Sequence, residues 1–381
     1  MRFIRIIGVC VTGLVLTATG VGAQTWPLST RPTISIGDDT SGESATPEYQ
    51  FNRISNLRRL SDGRILVTMG PDIRYYSAQG KYLSKAGGRG RGPGEFQYIQ
   101  DLYVLRGDTL LALNFRNKVW LTADGKYVRQ ETMMLDPLMK DGWFSEGAAL
   151  LPNGNLLAEQ YRQETSQNPP PAGLHRPVLR YAILDFATNA VTPLITAGGI
   201  RQITGARLGG GVAQAFSPHA QHAIGRDLVY VGDNDTTFVS VFTLDGKAVR
   251  TITVADKAVP VTAAHLDEYR QSVLEMIGAN ASRREQFERS WDAITKPKRF
   301  PYWGTALVDQ LGNLWVSAPS TGMTAPTTWS VFNRNGRRIA SVTVPKGFTP
   351  KDIGPDYILG VMRDDLGVET IRMYSLERRV R

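Results

Sequence analysis

Six times along the chain a polar turn is followed by alternating apolar residues. The copies are LSDGRILVT from Leu60, LRGDTLLAL from Leu105, LPNGNLLAE from Leu151, IGRDLVYVG from Ile224, DQLGNLWVS from Asp309 and IGPDYILGV from Ile353. The alternation, as at Ile65 and Val67 or at Leu314 and Val316, has the period of a half-buried strand, so each copy predicts a tight turn leading into a strand. A second pattern follows most copies. YYSAQGKYLSK, VWLTADGKYVRQ, VFTLDGKAVRT and VFNRNGRRIAS each carry an aromatic-led strand, a turn ending in Gly and another strand, and these predict outer hairpins. The inner-turn glycines Gly63, Gly107, Gly154, Gly225, Gly312 and Gly354 are 44, 47, 71, 87 and 42 residues apart, and the short spacings are those of a four-stranded propeller blade. The predicted fold is therefore all-β: a six-bladed β-propeller of four-stranded antiparallel blades, in which each sheet covers its neighbour and the ring protects its edges.

The two long spacings call for insertions. A proline-rich run at 167–177, QNPPPAGLHRP, lies in the third unit, and a helical hairpin at 262–294 separates blades 4 and 5. Leu266, Tyr269, Val273, Met276 and Ile277 form one apolar stripe, Gly278 a stop, Ser282 with Glu285 a capping box, and Phe287, Trp291 and Ile294 a second stripe. Helices apolar on one side pack against something, and a propeller face is the platform at hand, with the hairpin as a fixed cap or as a lid over the axial channel. The last unit ends in VETIRMYSLER, a third strand with nothing after it, so the fourth strand is expected from the N-terminal segment, around 33–36 or 49–54.

The stretch GRGRGPGEFQYIQDLYV at 88–104 resembles the GxGPGEF linker between blades of NHL-type and related bacterial six-bladed propellers. The closing DYILGV at 356–361, through GVE at 367–369, is similar to the end of an exported six-bladed propeller family. The resemblance spans nearly the whole chain after its first residues. It implies architecture and blade number; that family has no defined function, so it brings no catalytic residues.

Composition agrees with a turn-rich globular protein: of 381 residues, 42% are hydrophobic and 21% charged, with 38 Gly and 21 Pro. Arg2 and Arg5, an apolar run at 6–18 and the small residues Val21, Gly22 and Ala23 read as a secretory signal peptide at 1–23. The remainder, 24–381, is then a single propeller domain, periplasmic or secreted and expected to be a monomer. Membrane contact is expected only if that segment stays uncleaved. The sole cysteine, Cys10, lies within it, so the mature chain is expected to carry no thiol and no disulfide. Net charge is +9, or +7 without the two leader arginines, but basic and acidic residues are interspersed and no basic stripe marks a nucleic-acid partner.

The sequence has no GxSxG, no HExxH, no P-loop and no dinucleotide fingerprint. Its histidines are His175, His219, His222 and His265. No metal site is predicted. His219 and His222 fall on a predicted strand, where residues three apart face opposite ways. Asp233 and Asp235, with Asn234, fall at a predicted hairpin, where such residues are ordinary turn formers. In the 88–96 linker, Arg89, Arg91 and Glu95 admit two readings, an anion site built with backbone N–H groups or a tight inter-blade connection plugged by Phe96. Tyr98, Trp143, Tyr302 and Trp303 lie near strand ends or linkers, where exposed aromatics form binding surfaces. The function expected is an extracytoplasmic binding propeller with no cofactor, holding a peptide, glycan or envelope protein on an axial face through Arg89, Arg91, Glu95, Tyr98, Glu146, Tyr302 and Trp303. The alternative is a metal-dependent hydrolase or lyase of the gluconolactonase-like type, with a divalent ion on Glu146, Asp101 and Asn56 at the channel mouth.

Overall fold

The computed structural model describes residues 24–38, 46–145, 147–162, 171, 173–204, 212–320 and 325–378. The leader at 1–23, Glu146 and most of the proline-rich run lie outside the described residues. Six antiparallel sheets form the blades of a ring. From the axis outward, blade 1 is Asn56–Arg59, Ile65–Met69, Asp72–Tyr76 and Tyr82–Gly87, and blade 2 is Asp101–Val104, Leu110–Asn114, Asn117–Leu121 and Tyr127–Thr132. Blades 4 and 5 repeat the pattern from Ala220–Ile224 and Ala306–Val308.

Blade 3 departs from it. Its inner strand is split into Trp143–Ser145 and Ala149–Leu150, both paired with Leu156–Arg162. A small sheet of Gly173–His175, Gln202–Thr204 and Val212–Ala213, which the repeats do not announce, joins the blade 3 insertion to the linker beyond it.

The core is distributed. Among the described residues, six apolar clusters each draw on two neighbouring blades. Strand alternation explains how: Ile65 and Val67 pack toward blade 6 while Leu66 packs toward blade 2. The second strand of a blade is thus buried on both faces and reads as a continuous apolar run.

Blade 6 closes the ring. Its strands Phe348–Ile353, Tyr357–Arg363 and Glu369–Ser375 come from the C-terminal part, and Ile34–Ile36 supplies the fourth, with Ile36 opposite Ile371. Of the two closing segments considered, 33–36 makes the strand, while Tyr49, Phe51 and Ile54 pack in the cluster it covers. Gln24–Thr25 adds a parallel fifth strand to blade 5, which the sequence reading did not foresee.

Turn chemistry follows the glycines. Gly80 at φ +88° and Gly125 at φ +77° end the outer turns of blades 1 and 2, and each is followed by a register slip. That is the turn-plus-bulge hairpin in which Gly takes the left-handed position.

The predicted helical insertion is α1, Ala263–Ile277, and α2, Ala281–Ala293, set between the strands of blade 4 and those of blade 5. Two details differ from expectation. The capping box lies on α1, where Thr262 and His265 bond reciprocally, while α2 starts from Asn280, whose Oδ1 accepts the Arg283 N–H at 3.0 Å; the Ser282–Glu285 box starts two residues too late. Met276 is 85% exposed, and Leu274 is the buried residue of that turn. The helices rest on a ring cluster in which Phe216 lies 5.2 Å from Tyr269 and 4.6 Å from Phe300, with Trp291 stacked on Tyr269 at 5.8 Å. These contacts seat them on the linkers either side of blade 4.

Candidate functional site: an aromatic groove beside the channel

In every blade the first two strands meet at a repeat turn on one end of the ring, so the inter-blade linkers and the hairpins joining second to third strands gather at the other end. At that end, between blades 2 and 3, lies a groove of about 670 Å3. Tyr98 and Gln100 enter it from the linker after blade 1, Phe115 and Arg116 from the blade 2 hairpin, and Phe144 and Tyr161 from blade 3. Leu135, which is buried, and Met139 form its floor. The Phe144 and Tyr161 rings are 6.4 Å apart and inclined by 31°, so they present one nearly continuous surface. The Arg116 guanidinium lies 3.9 Å from the Met139 sulfur.

Phe115 is the unusual member. It is 63% exposed and holds φ +52° at the first position of a two-residue turn. Such hairpins place Gly, Asn or Asp there, because the left-handed region costs an L-residue about 1–2 kcal/mol. An exposed aromatic ring in a strained turn contributes little to folding, and strain kept in this way concentrates at functional sites.

The sequence candidates divide. Tyr98 lines the groove and is 44% exposed. Arg89 and Arg91 are exposed, but the anion site expected around them is filled from within. The Glu95 carboxylate accepts the Gly92 N–H at 2.8 Å, and a Cβ on Gly90 would sit 1.8 Å from the same oxygen. Phe96 is fully buried in the cluster between blades 1 and 2, so the plugged-connection reading describes this loop. Trp303 was expected as an exposed aromatic and is instead 1% exposed, its indole N–H donating to the Thr236 carbonyl at 3.0 Å. Tyr302 is half-buried, with the Arg299 guanidinium 4.4 Å above its ring. Trp143 carries Arg180 at 4.5 Å and Arg162 at 4.9 Å.

His219 and His222 do not converge. His219 turns toward Ser217 and Gln221, whereas the His222 ring meets Tyr181 at 5.7 Å. Burial pushes the His222 imidazole below its ordinary range, with Glu159 and Asp101 partly opposing this, so the ring is neutral. Asp233 and Asp235 are turn residues, as read, and their carboxylates are taken by arginines. Arg176 bonds Asp233 in a fork at 2.7 and 2.9 Å, and Arg201 and Arg299 each reach Asp235 at 2.6 Å. This clamp ties the blade 3 insertion, the linker after blade 3 and the return from α2 to blade 4. Asn56 donates to the Thr68 hydroxyl at 3.0 Å, and Asp101 faces Arg58 at 3.7 Å. Among the described residues no three His, Cys, Asp or Glu side chains converge as metal ligands.

The clamp has a pH consequence. Burial raises the Asp233 carboxyl, but its bonds to Arg176, Asp235 and Gly198 prevail and hold it below the ordinary carboxylate range. A depressed carboxyl adds stability above the unfolded value near ~4, and that stability is lost as pH falls through the lower folded value. Melting temperature followed from pH 7 down to about 3 should therefore fall more steeply for the native chain than for Asp233→Asn. Parallel curves would remove Asp233 from the acid response.

A family described as 6-bladed beta-propeller matches residues 45–139, which take in blade 1, its linker and blade 2. The fold is shared with solved propellers. A member of the DUF4221 family from Bacteroides vulgatus is similar at a TM-score of 0.53 and 10% identity, over 93% of this chain and 99% of that one. A gluconolactonase from Xanthomonas campestris has a TM-score of 0.41 at 10% identity, over 93% and 98% of the two chains. A calcium-binding protein, regucalcin, from Agrobacterium tumefaciens has 0.42 at 13%, over 94% and 97%. No curated protein matches the chain in sequence. Identities this low carry the fold alone. Among the described residues no helix is long and apolar enough to cross a membrane.

Proposed function

We propose that the chain is a non-catalytic binding propeller, acting outside the cytoplasm, that holds an extended proline-containing peptide in the groove between blades 2 and 3. The observation that carries the reading is Phe115, an exposed ring kept at the groove rim in a conformation that costs stability. The chemistry of the groove supports the ligand class. Its polar groups are mostly donors: the Arg116 guanidinium, the Gln100 amide and the Tyr98 and Tyr161 hydroxyls. A polyproline II segment offers the complement, with carbonyls unpaired along its length, few N–H groups of its own, and pyrrolidine rings that pack on aromatic faces. Its stiffness also lowers the entropy lost on binding. The leader pattern at 1–23 supports the location.

Hexaproline titrated calorimetrically into the native chain and into Phe115→Gly is the test. The native chain should bind saturably and the variant at least about tenfold more weakly, a loss of about 1.4 kcal/mol or more. Because Gly relieves the left-handed strain, the variant's melting temperature should be unchanged or higher by about 1–2 °C. Equal binding by both chains, or binding of chitotetraose in place of the peptide, contradicts the proposal.

A further inference from the structure

The axial channel carries a second set of groups that the groove does not use. Among the described residues, titratable side chains from five blades interact with one another: Arg58 from blade 1, Asp101 from blade 2, Glu159 from blade 3, His222 from blade 4 and Lys351 from blade 6.

One irregularity of an inner strand contributes to this arrangement. Lys351 sits in a β-bulge, where the pairing of Phe348–Ile353 with Tyr357–Arg363 slips between Pro350 and Asp352. Bulges re-aim a side chain out of the regular alternation. Glu159 belongs to the second strand of blade 3, and its carboxylate acts electrostatically on His222 of blade 4.

The belt is polarised. Its cations come from the adjacent blades 6 and 1, its carboxylates from the adjacent blades 2 and 3, and His222 is neutral. Among the described residues these charges do not collapse onto one another. The one ion pair within the belt is the loose Arg58–Asp101 contact at 3.7 Å, and Arg58 otherwise donates to the Leu57 and Lys351 carbonyls. Among the described residues the Glu159 carboxylate accepts from the Tyr181 hydroxyl, at 2.6 Å. The half-buried Lys351 ammonium makes no hydrogen bond or ion pair among the described residues. Burial, then the charges of Arg58 and Arg363, depress it, while Glu369 and Asp101 oppose that. A desolvated ammonium without a partner is costly, and a ring built only for neutrality would pair it directly.

We infer that the channel is a binding site for a small zwitterion, whose carboxylate meets Arg58 and Lys351 and whose ammonium meets Asp101 and Glu159. Amino-acid-like compounds are the chemical class. The site is independent of the groove and stands or falls without it.

Thermal unfolding of the full chain with glycine, β-alanine, 4-aminobutyrate and 6-aminohexanoate tests the inference, because the series varies the distance between charges. Binding to the folded state raises the melting temperature. At least one member should raise it by several degrees, with acetate and methylammonium each ineffective at the same concentration. Lys351→Met and Glu159→Gln should each abolish the shift, and Phe115→Gly should keep it. Should Lys351→Met fail to fold, the Glu159→Gln arm decides. No shift with any member, an equal shift with acetate or methylammonium alone, or an undiminished shift in a folded Lys351→Met or Glu159→Gln overturns the inference.

Discussion

Arg378→Ala is expected to lower the stability of the protein by about 3–5 kcal/mol. The Arg378 side chain is 10% exposed and its Nη1 bonds Asp309 at 2.7 Å, where the aspartate side chain is fully buried. Its remaining nitrogens donate to the Gly354 and Pro355 carbonyls, both at 2.7 Å, and its guanidinium lies 5.0 Å from the Trp26 ring. One side chain thus joins a blade 5 turn, a blade 6 turn and the N-terminal segment. Alanine leaves the Asp309 carboxylate buried without its cation, although Trp315 and the Leu311 and Asn313 N–H groups still donate to it. Loss of an uncompensated charge pair of this kind is the mechanism behind the large value. Urea unfolding of the variant measures it, and a loss below about 1 kcal/mol would show that the remaining donors suffice.

Ile36→Asp should have a larger effect still. Ile36 is 1% exposed, opposite Ile371 in the closing strand, and belongs to the cluster that joins blades 6 and 1. A carboxylate there meets apolar neighbours, so the folded state either buries an unpaired charge or releases the strand and opens the ring. The expected outcome is a chain that does not fold stably at 37 °C, seen as the loss of a cooperative transition. Ile36→Val, which removes one methylene, should cost only about 0.5–1.5 kcal/mol. If Ile36→Asp melted like the native chain, closure by this strand would contribute little to the ring.

Closure matters to the candidate site because the groove has no sheet of its own. Tyr98, Phe115 and Phe144 come from a linker, a hairpin tip and an inner strand, and only the packing of blade on blade holds them at fixed spacing. A rigid ring lets three different kinds of element present one surface.

The parts legible in the sequence share a physical reason. Alternation, turn glycines and the Pro-Gly-Glu-Phe linker are local signals, each set by the backbone of a few residues, so the blades, the plug at Phe96 and the hairpin at 263–293 could be read directly. That the N-terminal segment supplies a closing strand was legible by arithmetic, since the last blade lacked one, but the choice of Ile34–Ile36 over 49–54 was not. The groove was not, because its rings stand about 63 residues apart from Tyr98 to Tyr161 and no local rule connects them. One signal was available and missed: in Asn114-Phe115-Arg116-Asn117, between two strands, a bulky residue occupies a position that turn chemistry reserves for Gly. Trp303 shows the opposite error. Proximity to a strand end suggested exposure, but its linker folds back under Thr236 and buries the ring. The channel belt was illegible for a third reason, in that Lys351 sits in a bulge, which is a departure from the repeat.

The central claim is that the groove between blades 2 and 3 exists to hold a ligand by its rings. Calorimetric titration of hexaproline into the native chain and into Phe115→Gly tests it most directly. The account predicts saturable binding to the native chain, weakened about tenfold or more in a variant that melts no lower. Identical titrations for the two chains, or none for either, would contradict it.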